Sequence, residues 1–266
     1  MRATLVIPTL NEAASVGEVI RRFRRAAEEA NRTLFSSAPI DWEVLVVDGR
    51  STDGTPEIAA REGARVLVEP RRGYGRAYKT GLLAAAGDVI ATADGDLTYP
   101  VETVPALVDR LLREGHDFLS GDRLAYVSRK SMTTEHRIGN WALNLLLRIA
   151  YHRFLRGVPG RTLADSQSGF WVFRRTVLEK VHLEADGMAF SEELKIEAIV
   201  RGVHFLEVPI RYGERFGPPK LRSWKDGLEN LLYLLAKRLA LARETRIGMP
   251  EPFLHGGSTP TSPPRA

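Results

Sequence analysis

Short apolar runs alternate with segments of helical spacing through the first half of this chain, and this alternation constrains the fold more than any other feature. The runs predicted to be strands are Leu5–Ile7, Glu43–Val47, Ala64–Val68, Val89–Ala93 and Phe118–Ser120. The segments predicted to be helices run from Ser15 to about Asn31, from Ala77 to Ala86 and from Val104 to Arg113. Strands alternating with helices of this length imply βαβ units. We therefore expect an α/β fold with a mostly parallel sheet flanked by helices.

Local signals add detail to this pattern. Pro8 is expected to end the first strand, because proline lacks the N–H that a sheet ladder needs. Ser15 and Glu18 stand in capping-box register at the start of the first helix. Farther along, Glu192–Arg201 is predicted to be a helix and Phe205–Ile210 a strand.

Two carboxylates follow the fourth predicted strand, at Asp94 and Asp96. The carboxyl ends of strands are where open α/β sheets bind ligands. Two acidic groups this close are costly unless a cation lies between them, and a hard divalent ion completed by phosphate oxygens is the usual solution. The pair therefore indicates a metal–diphosphate site. Asp-Gly-Asp is also good turn chemistry, so a simple turn remains the alternative.

Other polar segments are predicted at the same edge. Pro8–Glu12 leads from the first strand into a helix, whose amides and Glu12 carboxylate are suited to a nucleotide, although a plain helix start is the better explanation of this segment taken alone. Asp48 follows the second strand, and Asp53 in the next turn is best explained as a helix cap. Arg71–Arg76 combines guanidinium groups with glycines before a helix, a pattern suited to a diphosphate.

Composition narrows the classes of protein. The chain has 266 residues, enough for one large α/β domain or two small ones, and no cysteine, which excludes disulfides and thiolate metal sites. Its net charge of +5 suits anionic partners such as nucleotides or phospholipid surfaces, though a merely solvated basic surface is equally compatible. We find no nucleic-acid-binding motif, signal-peptide pattern or apolar run long enough to span a bilayer, and expect none of those properties.

The order and spacing of several motifs carry a family resemblance. In the first half they are Ile7-Pro8-x-x-Asn11-Glu12, Val47-Asp48, Ser51-x-Asp53-Gly54-Thr55 and Asp94-x-Asp96-Leu97 with Pro100. This combination resembles family 2 glycosyltransferases of the GT-A fold. In the second half they are Asp165-x-x-Ser168-Gly169-Phe170, Glu207-Val208-Pro209-Ile210 and Arg215-x-Gly217-x-x-Lys220-Leu221. These are similar to motifs of dolichol-phosphate mannose and glucose synthases.

The resemblance implies roles for individual residues. Nucleotide-binding positions would be Pro8, Asn11, Glu12, Asp48, Arg76 and Asp94. The metal ligands would be Asp94 and Asp96, with Mg²⁺ or Mn²⁺ as the cofactor. Catalytic positions would be Asp96, Arg215 and Lys220; Arg137 and Arg215 would bind the acceptor phosphate, and Asp165 and Gln167 would shape the sugar pocket. For the last two residues, a turn anchoring Phe170 in the core is nearly as well supported.

The chain departs from its relatives' pattern at three positions. Thr98 stands where many relatives place a glutamine metal ligand, Gly49 where a second aspartate commonly follows the first, and Pro219 where a serine is usual. These changes bear on metal geometry and donor identity rather than on family membership.

The resemblance also implies a reaction. A hexose would pass from GDP-mannose or UDP-glucose to a dolichyl or polyprenyl monophosphate with inversion. The acceptor phosphate oxygen is already an anion, so no strong general base is needed. A divalent ion would neutralise the leaving nucleoside diphosphate.

The lipid acceptor directs attention to amphipathic segments. Ser128–Gly160 is predicted to be a helical excursion that mixes apolar and basic residues, and such a helix can lie in a membrane interface. In the last helix, Trp224–Arg243, an apolar stripe including Leu232 and Leu235 is expected to pack on the core. We expect a catalytic domain over residues 1–246, a disordered tail over 247–266, and a location on the cytoplasmic face of a membrane.

Three other functions compete with this interpretation. A family 2 enzyme acting on a sugar hydroxyl would need a catalytic carboxylate, for which Glu192 and Glu193 are the candidates. A nucleotidyltransferase would be expected to carry a glycine-rich basic loop after the first strand, where this chain has Pro8–Glu12. A non-catalytic nucleotide- or membrane-binding module would have no need for both Asp94 and Asp96.

Overall fold

The computed structural model describes residues 1–126, 141, 144–149, 151, 163–216 and 230–241. The predictions for Arg137, Lys220 and the tail over residues 247–266 lie outside the described residues, as do parts of the predicted excursion and the start of the last helix.

Strands and helices alternate as the sequence predicts. The strands are β1 Arg2–Thr9, β2 Asp41–Asp48, β3 Arg65–Val68, β4 Val89–Thr92, β5 Phe118–Asp122, β6 Trp171–Arg174 and β7 Phe205–Pro209. The principal helices are α1 Val16–Thr33, α2 Thr55–Arg61, α3 Tyr74–Ala84, α4 Val104–Arg113 and α5 Phe190–Val200. Residues 144–149 and 230–241 are also helical.

The strands form one seven-stranded sheet in the order β3-β2-β1-β4-β6-β5-β7. All neighbouring pairs are parallel except those of β6, which is antiparallel to both β4 and β5. The mostly parallel sheet is therefore confirmed. Because β6 is reversed, the segment entering it lies at the same edge as the segments leaving the other strands.

Two apolar layers cover the sheet. On one face α1 and α4 pack through Ile20, Phe23 and Val108, and on the other α3 and α5 pack through Tyr78 and Phe190. Strands buried on both faces become continuous apolar runs rather than alternating ones. This explains why the sequence shows unbroken runs such as the one in β2.

Pro8 does not end the first strand, contrary to our expectation. On the side of β1 that faces β4, Val6 O accepts a hydrogen bond from Ala93 N. On the side that faces β2, Thr9 O accepts one from Gly49 N. Because successive residues alternate sides, the nitrogen of Pro8 faces β4, beyond the last β1–β4 pair at Val6. The missing N–H therefore costs no ladder hydrogen bond.

The last helix presents a different face to the core from the one we expected. Leu232 and Leu235 are 58% and 44% exposed, whereas Leu234 and Leu241 are buried. Lys237 is also turned inward, 3.2 Å from Glu193 on α5 and 2.8 Å from Glu197. These ion pairs fix the rotation of the helix, and hydropathy alone did not reveal them. In the part of the chain that is described, no helix combines the length and apolar composition needed to cross a bilayer.

Candidate functional site

An open cleft of about 880 Å³ lies at the carboxyl edge of the sheet. Its walls include residues 8–12 at the end of β1, residues 49, 50 and 52 after β2, 70–74 after β3 and 94–96 after β4. Arg123, Gln167, Tyr212 and Arg215 also line the cleft, from the segments around β5, β6 and β7. The sheet topology thus brings together side chains that are more than 200 positions apart in sequence.

The Asp94–Asp96 loop is built to present carboxylates to this cleft. Asp96 is buried, and its Oδ1 accepts hydrogen bonds from Thr98 N at 3.1 Å and Thr98 Oγ1 at 2.6 Å. Thr98 therefore orients Asp96. Leu97 between them adopts a left-handed φ of 68°, an unfavourable conformation for such a side chain. Strain of this kind clusters at functional sites.

The two carboxylates are electrostatically coupled. Burial, followed by the nearby charge of Asp96, raises the pKa of Asp94 to about 7. Arg215 and Arg123 act in the opposite direction and favour the ionised form. A further cation between the carboxylates would stabilise their ionised forms.

Arg215 lies directly against the acidic pair. Its Nη1 is 3.2 Å from Asp96 Oδ2 and its Nη2 is 3.3 Å from Glu12 Oε1. Backbone hydrogen bonds from Gly213 N to Thr98 O and from Phe216 N to Asp96 O hold the segment after β7 in place. Arg215 therefore contacts both Glu12 and Asp96, so three of the predicted site residues lie together in the cleft.

The start of α1 is tied to the same loop. Ser15 Oγ donates a hydrogen bond to Gly95 O at 2.7 Å and makes no cap hydrogen bond to its own helix. The capping-box prediction for Ser15 and Glu18 is therefore wrong, because the hydroxyl serves a tertiary contact instead. This bond fixes the Asp94–Asp96 loop against the first helix.

The turn after β2 is held by its own acidic and amide groups. Asp48 is buried, and its carboxylate accepts hydrogen bonds from Ser51 N at 2.8 Å and Thr9 Oγ1 at 3.2 Å. Asn11 Oδ1 accepts one from Thr52 N at 2.9 Å. Pro8, Asn11 and Glu12 line the cleft, whereas Asp48 shapes its wall from behind. Their nucleotide-binding roles stay predictions.

The arginines of the basic loop before α3 differ in where they lie. Arg71 and Arg72 line the cleft, and the Arg71 guanidinium pairs with Glu69 through contacts of 2.7 and 2.8 Å. The hydrogen bond from Arg71 lowers the pKa of Glu69 to about 2. Arg76, the residue predicted to bind nucleotide, lies within α3 and is paired with Asp186. The helix starts three residues earlier than predicted, which carries Arg76 into its first turn.

Arg123 is a cleft residue that the sequence interpretation missed. Asp165 binds it with both carboxylate oxygens, at 2.7 and 2.8 Å, and also accepts its backbone N–H at 3.0 Å. The guanidinium carbon lies 5.3 Å from the centre of the Tyr212 ring. Arg123 comes three residues after the predicted strand Phe118–Ser120, and this position near a strand end was a signal that could have identified it.

Asp165 is fully buried, so in this structure it supports Arg123 rather than lining the cleft. Burial alone would raise the pKa of Asp165, but the charge and hydrogen bonds of Arg123 keep it below its usual value. Lys195 Nζ donates to Asp165 O at 2.5 Å, and Glu207 accepts Asp165 N at 3.2 Å. Gln167 does line the cleft. The sugar-pocket prediction for both residues stays untested.

Glu192 and Glu193 both lie in the core, fully buried on α5. Glu193 accepts hydrogen bonds from Glu184 N and Ala185 N at 2.9 Å each. Glu192 Oε1 accepts one from Ser166 Oγ at 3.3 Å, and burial raises the pKa of Glu192 to about 8. Neither carboxylate is placed to activate a sugar hydroxyl in the cleft.

Comparison with known proteins identifies the family. The family model described as Glycosyl transferase family 2 matches residues 4–182, which is more than half of the chain. Fold and match together define a glycosyltransferase with a nucleotide-sugar-type α/β fold. The chain belongs to glycosyl transferase family 2, as its motifs predict.

Two curated relatives are similar to this chain over most of its length. The dolichyl-phosphate hexose transferase of Haloferax volcanii is 34% identical over 223 residues, covering 84% of this chain and 88% of that protein. The dodecaprenyl-phosphate galacturonate synthase of Rhizobium johnstonii is 30% identical over 210 residues, covering 76% of this chain and 55% of that protein. The chain thus spans about half the length of the second relative.

Solved structures share the fold. Glucosyl-3-phosphoglycerate synthase from Mycobacterium tuberculosis in complex with UDP superposes with a TM-score of 0.69 at 23% identity, covering 89% of this chain and 80% of that one. The same enzyme with Mn²⁺, UDP-glucose and phosphoglyceric acid gives 0.66 at 21% identity, covering 89% and 79%. The GT-A fold expected from the motifs is therefore confirmed.

Proposed function

We propose that this glycosyltransferase transfers a hexose from a nucleotide diphosphate sugar to a dolichyl or polyprenyl monophosphate with inversion at the anomeric carbon. The observation that carries the proposal is the convergence of Asp94 and Asp96 with Arg123 and Arg215 in one cleft. Such an arrangement suits two phosphate-bearing substrates that react with each other. The names of the Haloferax and Rhizobium relatives support the same substrate class.

The acidic pair fits a divalent cation. Among the described residues no group of three or more histidine, cysteine or carboxylate side chains is arranged around a metal position. Two carboxylates agree with the way Mg²⁺ is commonly held, by one or two acidic residues plus substrate phosphates and water. Asp94 and Asp96 would hold Mg²⁺ or Mn²⁺, which when bound neutralises charge on the leaving diphosphate. Solved neighbours containing Mn²⁺ with UDP or UDP-glucose support this part of the proposal.

The arginine side chains of the cleft would bind the phosphate groups of the two substrates. Arg215 is placed to move from Asp96 to the diphosphate, and Arg123 is fixed by Asp165 with its guanidinium at the cleft. Preorganised positive charge lowers the barrier for two anions to approach each other. The acceptor oxygen attacks the anomeric carbon as the bond to the diphosphate breaks, so Glu192 and Glu193 have no part in the step. Arg137 and Lys220 are predicted to add to this positive charge.

Exposed apolar residues support a membrane-surface location for the acceptor. Trp141, Leu145 and Ile149 recur at helical spacing and are 65%, 41% and 68% exposed, next to the exposed Arg148. Leu232 and Leu239 are exposed on the neighbouring helix, which contacts the first through a hydrogen bond from Tyr151 Oη to Leu234 O. Apolar and basic side chains of this kind bind lipid interfaces. We propose that the enzyme acts at the cytoplasmic face of a membrane.

The proposal is tested by assaying the full chain with GDP-mannose and UDP-glucose, each with Mg²⁺ or Mn²⁺. The acceptors are a short polyprenyl phosphate and, for comparison, a free sugar. We expect transfer to the polyprenyl phosphate only, with inverted configuration by NMR, and loss of that transfer in Asp96→Asn. Transfer to the sugar alone would overturn the acceptor class, and nucleotide binding without any turnover would favour a binding module.

A further inference from the structure

The turn after β2 places glycine and arginine in unexpected positions. Arg50 adopts a left-handed φ of 65°, a conformation that favours glycine. Gly49 next to it is outside the left-handed region, and a Cβ added there would meet its nearest atom, Thr9 O, at 3.4 Å. The backbone therefore favours a glycine at position 50 but does not demand one at position 49. Backbone outliers of this kind cluster at functional sites, which directs attention to the arginine that the turn keeps here.

Arg50 is exposed at the cleft. Within the described ranges its guanidinium has no hydrogen-bond or ion-pair partner. The neighbouring acceptors are already engaged: Asp48 binds the Ser51 amide, and Asn11 Oδ1 binds the Thr52 amide. This end of the cleft, which also holds Arg71 and Arg72, therefore offers hydrogen-bond donors rather than carboxylate acceptors.

The sheet order locates Arg50 relative to the acidic pair. Asp94 and Asp96 follow β4, and Arg50 follows β2, with β1 between them. Two strand spacings amount to about 10 Å. Arg50 and the acidic pair line one cleft, so a donor whose diphosphate lies at Asp94 and Asp96 has room to reach Arg50 with its base.

We propose that Arg50 recognises the base of the nucleotide donor and selects guanine. The inference rests on the proposed function, which supplies the nucleotide. An arginine fork donates two hydrogen bonds to adjacent acceptors, and guanine O6 and N7 are the pair it matches best. Adenine and cytosine present an amino donor at the corresponding edge. Uracil presents an N–H between its carbonyls, for which Gly49 supplies no carboxylate.

The test measures the binding of GDP, IDP, ADP and UDP by calorimetry with Mn²⁺, using the full chain. We expect GDP and IDP to bind alike, because they share O6 and N7, and about tenfold or more tighter than ADP and UDP. Arg50→Gly is expected to lose that preference and bind the four ligands within about threefold of one another. Arg50→Lys keeps the charge without the fork and is expected to lose most of the preference.

Two controls separate base recognition from other effects. Arg61→Ala, an exposed arginine of α2, removes the same charge away from the cleft lining and should leave all four affinities unchanged. Arg50→Gly should also raise the melting temperature of the ligand-free protein, since the strained residue is relieved. A folded variant that binds GDP poorly then cannot be explained by misfolding.

Several results would overturn the inference. They are a wild-type preference for UDP or ADP, GDP binding at least tenfold tighter than IDP, and an Arg50→Gly variant whose preference is unchanged or whose affinities all fall equally. These results leave the proposed function standing if transfer to polyprenyl phosphate is observed. Failure of every nucleoside diphosphate to bind the wild-type protein would instead reject the proposed function together with this inference.

Discussion

Arg215 Nη1 lies 3.2 Å from Asp96 Oδ2, on an oxygen that a divalent cation would use. The same guanidinium reaches Glu12 at 3.3 Å, so it neutralises two carboxylates across the cleft. A metal ion bound at Asp96 must compete with Arg215 for this oxygen. Release of Arg215 by the metal would free its charge for the donor diphosphate, which links metal binding to donor binding.

Removing Arg215 should therefore strengthen metal binding while weakening transfer. We expect Arg215→Ala to bind Mn²⁺ several-fold tighter than wild type without nucleotide, because the competing cation is gone, and to lose about 100-fold or more in turnover. Calorimetry or the electron paramagnetic resonance of free Mn²⁺ measures the first effect. Arg211→Ala, an exposed arginine four positions earlier, is the matched control. Unchanged or weaker Mn²⁺ binding in Arg215→Ala would contradict the competition.

Metal binding should depend on pH near neutrality. The pKa of Asp94 is raised to about 7, so below that pH a proton occupies the carboxylate and opposes the cation. Mn²⁺ affinity is expected to rise by up to about tenfold per unit as the pH increases toward 7, and to level off above it. Titrations between pH 5.5 and 8.5 test this. Asp94→Asn should bind weakly with a flat profile in this range, and an equally steep profile in that variant would assign the proton to another group.

The buried Glu192 should make the protein less stable as the pH rises. Burial raises its folded pKa to about 8 against a usual value of 4.5, so the native state holds a proton that the unfolded chain has already released. Between these two values the free energy of unfolding falls with rising pH, by at most about 1.4 kcal/mol per unit from this group. Glu192→Gln should show a smaller slope in urea unfolding between pH 5.5 and 8.5. Glu57→Gln, on an exposed part of α2, should behave like wild type.

Loss of the Asp165 carboxylate should affect the acceptor more than the donor. Asp165→Asn leaves Arg123 buried beside an uncharged partner, and breaking a buried ion pair commonly costs about 3–5 kcal/mol of stability. We expect the surviving folded enzyme to show a raised KM for polyprenyl phosphate with a nearly unchanged Kd for the nucleoside diphosphate. Arg123→Lys keeps a cation beside Asp165 and should be the more stable variant with the same KM effect. An equal loss of donor binding in both variants would argue that Arg123 serves the donor instead.

The sequence predicted those parts of the site that depend on local pattern. Asp94, Asp96 and the Pro8–Glu12 segment each follow an apolar run, and parallel strands bring such ends to one edge. Helix α4 matches its predicted range of Val104–Arg113 because its apolar spacing is strongly helical. The ligand-binding edge of the sheet and the acidic pair could therefore be predicted from the sequence.

Features that depend on contacts between distant segments of the chain could not be predicted from the sequence. Asp165 appeared to be a polar residue available for a sugar, because its partner Arg123 lies 42 positions away. Ser15 was assigned to a local cap since the Gly95 carbonyl, 80 positions later, could not be placed. The inward face of the last helix depends on Lys237 and its two carboxylate partners, which hydropathy treats as surface groups.

The reversed strand β6 has a consequence for how the enzyme could be altered. The chain leaves the sheet at Arg123 after β5 and returns at Asp165 before β6, and these two residues clasp each other by three hydrogen bonds. Among the described residues between them, Asn144, Leu147 and Tyr151 are buried against the rest of the chain. A segment grafted between Arg123 and Asp165 would therefore begin and end at neighbouring points of the rim, which keeps the entropy cost of closing it small. To preserve the core, the graft would have to restore the contacts of Asn144, Leu147 and Tyr151.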